Sequence, residues 1–507
     1  MATAAYTIVY RRVAARALAV MAWTGAAAAQ SAPPDAAAHP VFQNDSPRIL
    51  QGAKRLADRE PVAAGDTGVG VLQSGDRASW PRLWREDDLL ISGTLIGTLG
   101  MFRMWSNAFG LPASLNPAAL ENDPGWGEFF LEPGLTAAYT LNGATKLYGG
   151  VSYMETGTRG TDYGGVGNTW HGAPELLYAG IRWQDAVRQL AFDASYGQQD
   201  FAVGNNLLLA SGASNGAQLG ADYMGPRAAW ANAALLKGTW RDLTVQGFWL
   251  KPNDASSAAT GTRLAGVNAQ WGDGGPLQLA FMYLRAPESD IVTRDGLDVY
   301  DVRATVKPGG ADSGWTLRAE YAWERKDGVV ADGWYVEGSY HAAEAKWRPL
   351  VTLRYASFSG DRPDTATWEG FDPLYFGGSN PDWYQGKLLS TLINNTNLDS
   401  VAASLSLAPD ARSIVQFVFL YFAAAQADSP LAIPAAGQPV TTGGGVPAKS
   451  LATEFDAVYT YTFSKQVNVN VFAGYATPGA GYRQLYSASG GSAQPWWIIG
   501  TQFNISY

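Results

Sequence analysis

The chain contains no cysteine. For an exported protein this excludes a disulfide framework, so stability has to come from the fold and its surroundings. It also removes the thiolates on which most structural zinc and iron–sulfur sites depend. The three histidines, His39, His171 and His341, stand apart with no i,i+4 or clustered spacing, so no metal and no cofactor is expected. Charge is sparse as well, at 16% of residues. A run of about 20 apolar residues, the mark of a membrane-crossing helix, is missing from the body of the chain, and mean hydropathy is only −0.11. What the chain has instead is 58 glycines and 12% aromatic residues. Many aromatics and glycines, few charges and no long apolar blocks suit a transmembrane β-barrel, in which every second residue faces lipid.

The first residues read as an export signal covering 1–29. Arg11, Arg12 and Arg16 make a basic region, Ala17–Trp23 is a short apolar core, and Ala27-Ala28-Ala29 before Gln30 gives an A-x-A cleavage pattern. These three arginines are the only charges in that segment, so its removal leaves the remainder three charges more negative than the chain's −9. Residues 30–87, rich in Ala, Pro, Asp and Gly with one helical-period stretch at Ile49–Leu56, read as a periplasmic tail with little core of its own. The barrel is expected over 88–507.

From Leu89 onward the apolar period becomes two. Phe129, Leu131, Leu135, Ala137, Tyr139 and Leu141 interleave with Glu128, Glu132, Thr136 and Thr140. Trp315, Leu317, Ala319, Tyr321 and Trp323 alternate with Thr316, Arg318, Glu320, Ala322 and Glu324. The chain ends in the same way, with Trp497, Ile499, Phe503, Ile505 and Tyr507 set against Gly500, Gln502, Asn504 and Ser506. About 18 such strands can be counted. The connections alternate between short ones (Asn142-Gly143-Ala144, Arg241-Asp242, Ser464-Lys465-Gln466) and long ones (106–126, 200–227, 360–397, 423–453). That rhythm predicts an all-β fold: a transmembrane antiparallel up-and-down β-barrel with short periplasmic turns and long extracellular loops, in the outer membrane of a Gram-negative cell. A sandwich with Greek-key connections would not keep it. In hydrocarbon the sheet must close, because each unpaired backbone group costs several kcal/mol. An even strand count then puts both ends on the periplasmic side, and the terminal Tyr507 is where barrel precursors carry the signal read by the assembly machinery.

A barrel of that size is too wide for side chains to fill, so a channel is expected. Its lining should include the acids Glu128, Glu132, Asp193, Asp301, Glu320, Glu324 and Glu337 and the bases Arg182, Arg303, Arg318 and Arg354. A wetted wall needs such charge for solvation alone. Arg318 and Arg354, with planar forks suited to carboxylates and sugar hydroxyls, are the strongest candidates for contact with a solute. The connection 360–397 carries Trp368, Phe371, Asp372, Tyr375, Trp383 and Tyr384. It is too aromatic for a plain solvated tether, and either constricts the lumen or packs over the mouth.

At this connection the sequence resembles the alginate-export family of outer-membrane porins. The resemblance rests on Phe371-Asp372-Pro373-Leu374-Tyr375-Phe376-Gly377, on Asp382-Trp383-Tyr384-Gln385-Gly386 and on Asn395-Thr396-Asn397-Leu398. Earlier in the chain it includes Glu132-Pro133-Gly134-Leu135 and Lys146-Leu147-Tyr148-Gly149-Gly150. It implies an 18-stranded monomeric barrel passing an anionic polysaccharide or related sugars, with lipid, lipopolysaccharide and a periplasmic secretion partner as its associates. A polyuronate conduit calls for a basic lumen, whereas the lining predicted here has at least as many acids as bases. A neutral saccharide or a general diffusion porin therefore stays open beside alginate-like export.

Other classes fit less well. A barrel hydrolase needs a serine, a histidine and a carboxylate at one depth of the wall, and no histidine has such a partner in sequence, so no enzyme is expected. A surface adhesin would rely on its loops, yet Ala432–Pro447 is Gly/Ala/Pro-rich and reads as a cover. Gly164-Gly165-Val166-Gly167 has no following helix, which removes a nucleotide site, and nucleic acid is not an expected partner.

Overall fold

The computed structural model describes residues 82–86, 88–116, 120–213, 219–255, 259–273, 275–310, 313–377, 383–435, 445–464 and 466–506. The predicted export signal and residues 30–81 lie outside them. The chain forms β1 (Arg82–Glu86), β2 (Leu89–Trp105), β3 (Gly125–Asn142), β4 (Thr145–Gly160), β5 (Trp170–Asp185) and β6 (Leu190–Gln199). These are followed by β7 (Trp230–Trp240), β8 (Leu243–Lys251), β9 (Arg263–Trp271), β10 (Leu277–Glu288), β11 (Leu297–Val306), β12 (Trp315–Lys326) and β13 (Val329–His341). The remainder are β14 (Leu350–Phe358), β15 (Leu398–Leu407), β16 (Ser413–Ala423), β17 (Ser450–Ser464), β18 (Val467–Pro478) and β19 (Trp496–Ser506), with helix α1 (Ala480–Ala488) before the last strand.

Strands β2 to β19 pair in sequence order, each antiparallel to the next, and β19 returns to β2 through Trp497↔Trp105 to Ser506↔Ile96. The result is a closed barrel of 18 strands. At the seam the stagger of the strands carries the start of β2 beyond the end of β19. There β1 lies against β2, pairing Trp84↔Ile91, Arg85↔Leu90 and Glu86↔Leu89. The tail read from sequence thus ends in a strand that covers this ladder. Among the described residues no helix is long and apolar enough to cross a membrane; the crossing is made by strands.

The alternation read from sequence fixes the two faces. Leu177, Leu353 and Ile499 are 61%, 59% and 51% exposed on the outside, while the inward neighbours are covered polar groups such as Glu320, Asn504 and Thr352. In water this arrangement would be inverted; in a bilayer the exposed apolar wall is the stable one. Aromatic rows mark both ends of that wall. Tyr300 and Trp323 sit toward the rim of the long loops, and Trp315 packs on Tyr340 (ring centroids 4.8 Å) toward the rim of the termini. These are the levels where amphipathic rings meet headgroups.

Candidate functional site

The interior wall is built by the inward set of each strand. Glu128 and Glu132 on β3, Arg182 on β5, Asp193 on β6, Asp301 and Arg303 on β11, Arg318, Glu320 and Glu324 on β12, Glu337 on β13 and Arg354 on β14 all alternate with lipid-facing apolar residues and point inward. Most are joined to neighbours. Arg318 donates to Glu337 at 2.8 Å across the ladder, and Arg303 donates to both Asp301 and Asn268. Glu132 accepts from Ser152 at 2.8 Å. Arg354 is covered: its guanidinium lies 4.1 Å from the Trp383 ring and donates to the Tyr384 carbonyl at 2.6 Å. It holds a loop to the wall.

The described parts of two long connections fold inward and meet. The first is 200–229, between β6 and β7. Its Phe201 packs on Phe248, its Leu207, Leu208 and Leu209 are buried, and Trp230 donates to the Phe201 carbonyl at 2.9 Å. The second is 359–397, between β14 and β15. At its start Trp368 bonds back to the β12–β13 turn through Gly328 and Val330, and Phe371 packs on Phe358 at 5.3 Å. Asp372 then takes both prongs of Arg294 at 2.8 and 2.7 Å. Burial works against the Arg294 charge, but the Asp372 carboxylate more than offsets it and holds the guanidinium above the ordinary arginine range. Tyr375 pairs with Leu209 of the first connection and lies 5.1 Å from Trp230. Farther along, Trp383 packs on Tyr335 and Phe358, and the Tyr384 hydroxyl donates to Asp456 at 2.5 Å. The Lys387 carbonyl accepts from the Tyr223 hydroxyl at 3.0 Å, which ties the two connections together beside Phe472. The aromatic rings of 359–397 are therefore turned against the wall, where they fasten the constriction.

Wall carboxylates accept backbone amides from these loops, and Asp456 shares the Lys387 amide with Glu454 at 3.2 Å. Glu128 takes Tyr223 and Met224 (3.1 and 2.9 Å), and Glu175 takes Ala228 and Ala229 (2.7 and 3.0 Å). Glu324 takes Asp372 (2.9 Å), and Glu454 takes Lys387, Leu388 and Leu389 (2.6, 2.8 and 2.7 Å). Gly386 makes the approach to Glu454 feasible: its φ is +98°, and any Cβ there would collide with the Glu454 carboxylate. Of these partners, Glu128, Glu324, Arg354, Asp372, Tyr375, Trp383 and Tyr384 were legible as lumen or loop candidates. Glu175, Arg294, Glu454, Asp456, Tyr223 and Lys387 were missed. The one available signal was the run Leu207-Leu208-Leu209, too apolar for a solvated loop.

Nearer the rim of the termini, a basic row lies on adjacent strands. Lys146 on β4 pairs with Arg182, Arg182 with Asp193, and Asp193 with Lys237 on β7. The one acid in the row accepts from the Tyr148 hydroxyl at 2.5 Å. The loop adds a further cation. The Lys387 ammonium lies 4.5 Å from the Phe472 ring, and burial lowers it to about 8 while Asp456 and Glu454 resist the fall. With that value the protonated fraction drops from about nine-tenths at pH 7 to about one-tenth at pH 9. Reversal potentials in asymmetric salt should therefore move toward cation preference over this interval, with a midpoint near 8. Lys387→Met should remove the step, and a step persisting in that variant would assign it to another group.

A closed barrel with two loops drawn into its lumen defines an outer-membrane channel. The chain belongs to the alginate-export family, whose profile matches residues 175–494. Solved structures with the same fold include OpdL of Pseudomonas aeruginosa, with 10% identity and a TM-score of 0.50 over 83% of this chain and 98% of that one. The outer membrane protein OprD of the same organism gives 11% identity and a TM-score of 0.49 over 82% and 93%. No curated protein matches the chain. The family is one of export channels. His171 lies at the loop end of β5 and His341 at the opposite end of β13, and among the described residues no group of three or more His, Cys, Asp or Glu is arranged to hold a metal.

Proposed function

We propose that this channel passes anionic oligosaccharides or polysaccharide chains of the polyuronate type, through a lumen narrowed by residues 200–229 and 359–397. The observation that carries this reading is the basic row Lys146, Arg182 and Lys237, interrupted by the single acid Asp193. A carboxylate-bearing chain passing the narrowed section meets this row, and each unit charge at contact distance contributes on the order of 1 kcal/mol in a wetted setting. Many of the other lumen acids are engaged with loop amides or arginines, so the acidic composition does not by itself oppose an anionic solute. Arg318 remains a second contact candidate, and Arg354 acts through the loop that it fastens.

Single-channel recording tests this. Oligouronates should block the open channel more strongly than neutral oligosaccharides of the same length. Exchanging Lys146, Arg182 and Lys237 together for Gln should weaken that block by roughly tenfold to a hundredfold. Equal block by charged and neutral sugars would favour a general diffusion porin. Activity retained by a barrel whose pore is sealed would favour an adhesin. The same reading takes residues 1–29 as an export signal, residues 30–81 as a periplasmic segment leading to β1, and the last strand as the part recognised by the assembly machinery. A periplasmic secretion partner would feed the rim of the termini.

A further inference from the structure

The outer wall carries its charge unevenly. The lipid-facing positions of β14 to β19 hold no lysine or arginine along their whole length. Over β8 to β12 the lipid-facing set holds four cations, Lys251, Arg263, Arg285 and Arg325, and each stands at the long-loop end of its strand. Arg285 and Arg325 share one level, since both pair in register with Asp298 between them. Immediately beneath runs an aromatic row, Tyr283, Tyr300 and Trp323, with ring centroids 5.3 and 6.3 Å apart. Arg325 lies 4.7 Å from the Trp323 ring and Arg263 5.8 Å from that of Trp249.

Charged side chains on a lipid-facing wall are costly in hydrocarbon and tolerable only at the headgroup level, which is where the aromatic row places these four. Three carboxylates lie nearby: Glu288, Asp298 and, one level lower, Asp332. They do not saturate the arginines. The Arg263–Glu288 and Arg285–Asp298 approaches are both 3.5 Å and single-pronged, unlike the two short bonds of Arg294 to Asp372. Asp298 also accepts from the Tyr283 hydroxyl at 2.7 Å, so its charge is shared between two donors. Arg285 is 51% exposed. Guanidinium forks with donors to spare, set at the depth of a headgroup and grouped on one sector, match phosphate oxygens.

We propose that the long-loop end of β8 to β12 is a docking surface for a phosphorylated glycolipid of the outer leaflet, its phosphates held by Lys251, Arg263, Arg285 and Arg325 and its sugars resting on the aromatic row. This rests on the placement of the barrel in an outer membrane. The binding is to the outside of the wall and independent of what passes through the lumen. Two probes separate charge from lipid: a bisphosphorylated acylated glucosamine disaccharide and the same lipid with its phosphates removed. Native mass spectrometry of the detergent-purified protein should show the bisphosphorylated lipid retained and the dephosphorylated one lost. The variant K251Q/R263Q/R285Q/R325Q should bind the first at least tenfold more weakly with its conductance unchanged. Should that variant fail to fold, R285Q and R325Q singly should each weaken binding severalfold, and Asp298→Asn should strengthen it. Equal retention of the two lipids, or equal binding by wild type and the arginine variants, overturns the proposal. A barrel that conducts but lacks phosphate-dependent retention sinks this surface alone, whereas one that never conducts sinks the channel reading.

Discussion

Arg294→Met is expected to release the first half of the constricting loop while leaving the barrel closed. The guanidinium and Asp372 form a buried two-pronged pair, with the Glu324 carboxylate accepting the Asp372 amide beside it. Removing the cation leaves Asp372 uncompensated next to a second acid. Breaking one partner of a buried pair costs about 3–5 kcal/mol, because the remaining charge has lost its counterpart without regaining water. The sheet does not depend on this pair, since neither residue lies in a strand. The loss should therefore appear as mobility of residues 359–377 rather than as unfolding. Limited proteolysis should cut the variant within this segment, and its channel should show larger, noisier currents. R294M/D372L, which removes both charges and keeps the space filled, should restore much of the wild-type pattern. Unchanged proteolysis and conductance in R294M would mean that the pair is incidental and that the aromatic contacts alone seat the loop.

The barrel was legible because lipid imposes a period of two on every strand, and that signal survives weak residue preferences. Trp315–Trp323 against Thr316–Glu324 needed no tertiary information to be read. The exception shows the limit of that signal. In β7, Ala233 and Leu235 face inward toward Phe201 and its neighbours, so both faces are apolar and the inward Lys237 could not be assigned. The loops were less legible for a different reason. Glu128, Glu324 and Glu454 look alike in sequence, each an acid alternating with apolar residues. Which of them lines water and which caps a backbone depends on where a segment tens of residues away is laid down, Glu454 receiving amides from 387–389 and Glu128 from 223–224. An acid count taken from the sequence treats all of them as lumen charge. In the structure these carboxylates have backbone partners, and the row Lys146–Arg182–Lys237 carries net positive charge.

Glu454→Ala should have the largest effect on conductance of any single substitution in the wall. One side chain accepts three consecutive amides, those of Lys387, Leu388 and Leu389, at 2.6–2.8 Å. The Leu388 and Leu389 amides left buried without an acceptor each cost about 1–3 kcal/mol, while the Lys387 amide keeps only its 3.2 Å bond to Asp456; although such costs do not add fully, a loss of several kcal/mol exceeds what the two bonds to Asp456 can resist. Freed at this point, residues 383–397 lose most of their hold on β17 and with it the bond from Tyr223 to the Lys387 carbonyl, so the first connection, 200–229, is loosened by a substitution that does not touch it. Tyr223→Phe alone removes only that bond and should widen the channel slightly. Added to Glu454→Ala it should change nothing further, since the bond is already lost. A double-mutant cycle on conductance therefore separates the two arrangements. Strong coupling places both loops in one gate suspended from Glu454. Additive effects would mean that each loop is seated by its own wall contacts and that their meeting at Lys387 carries no force.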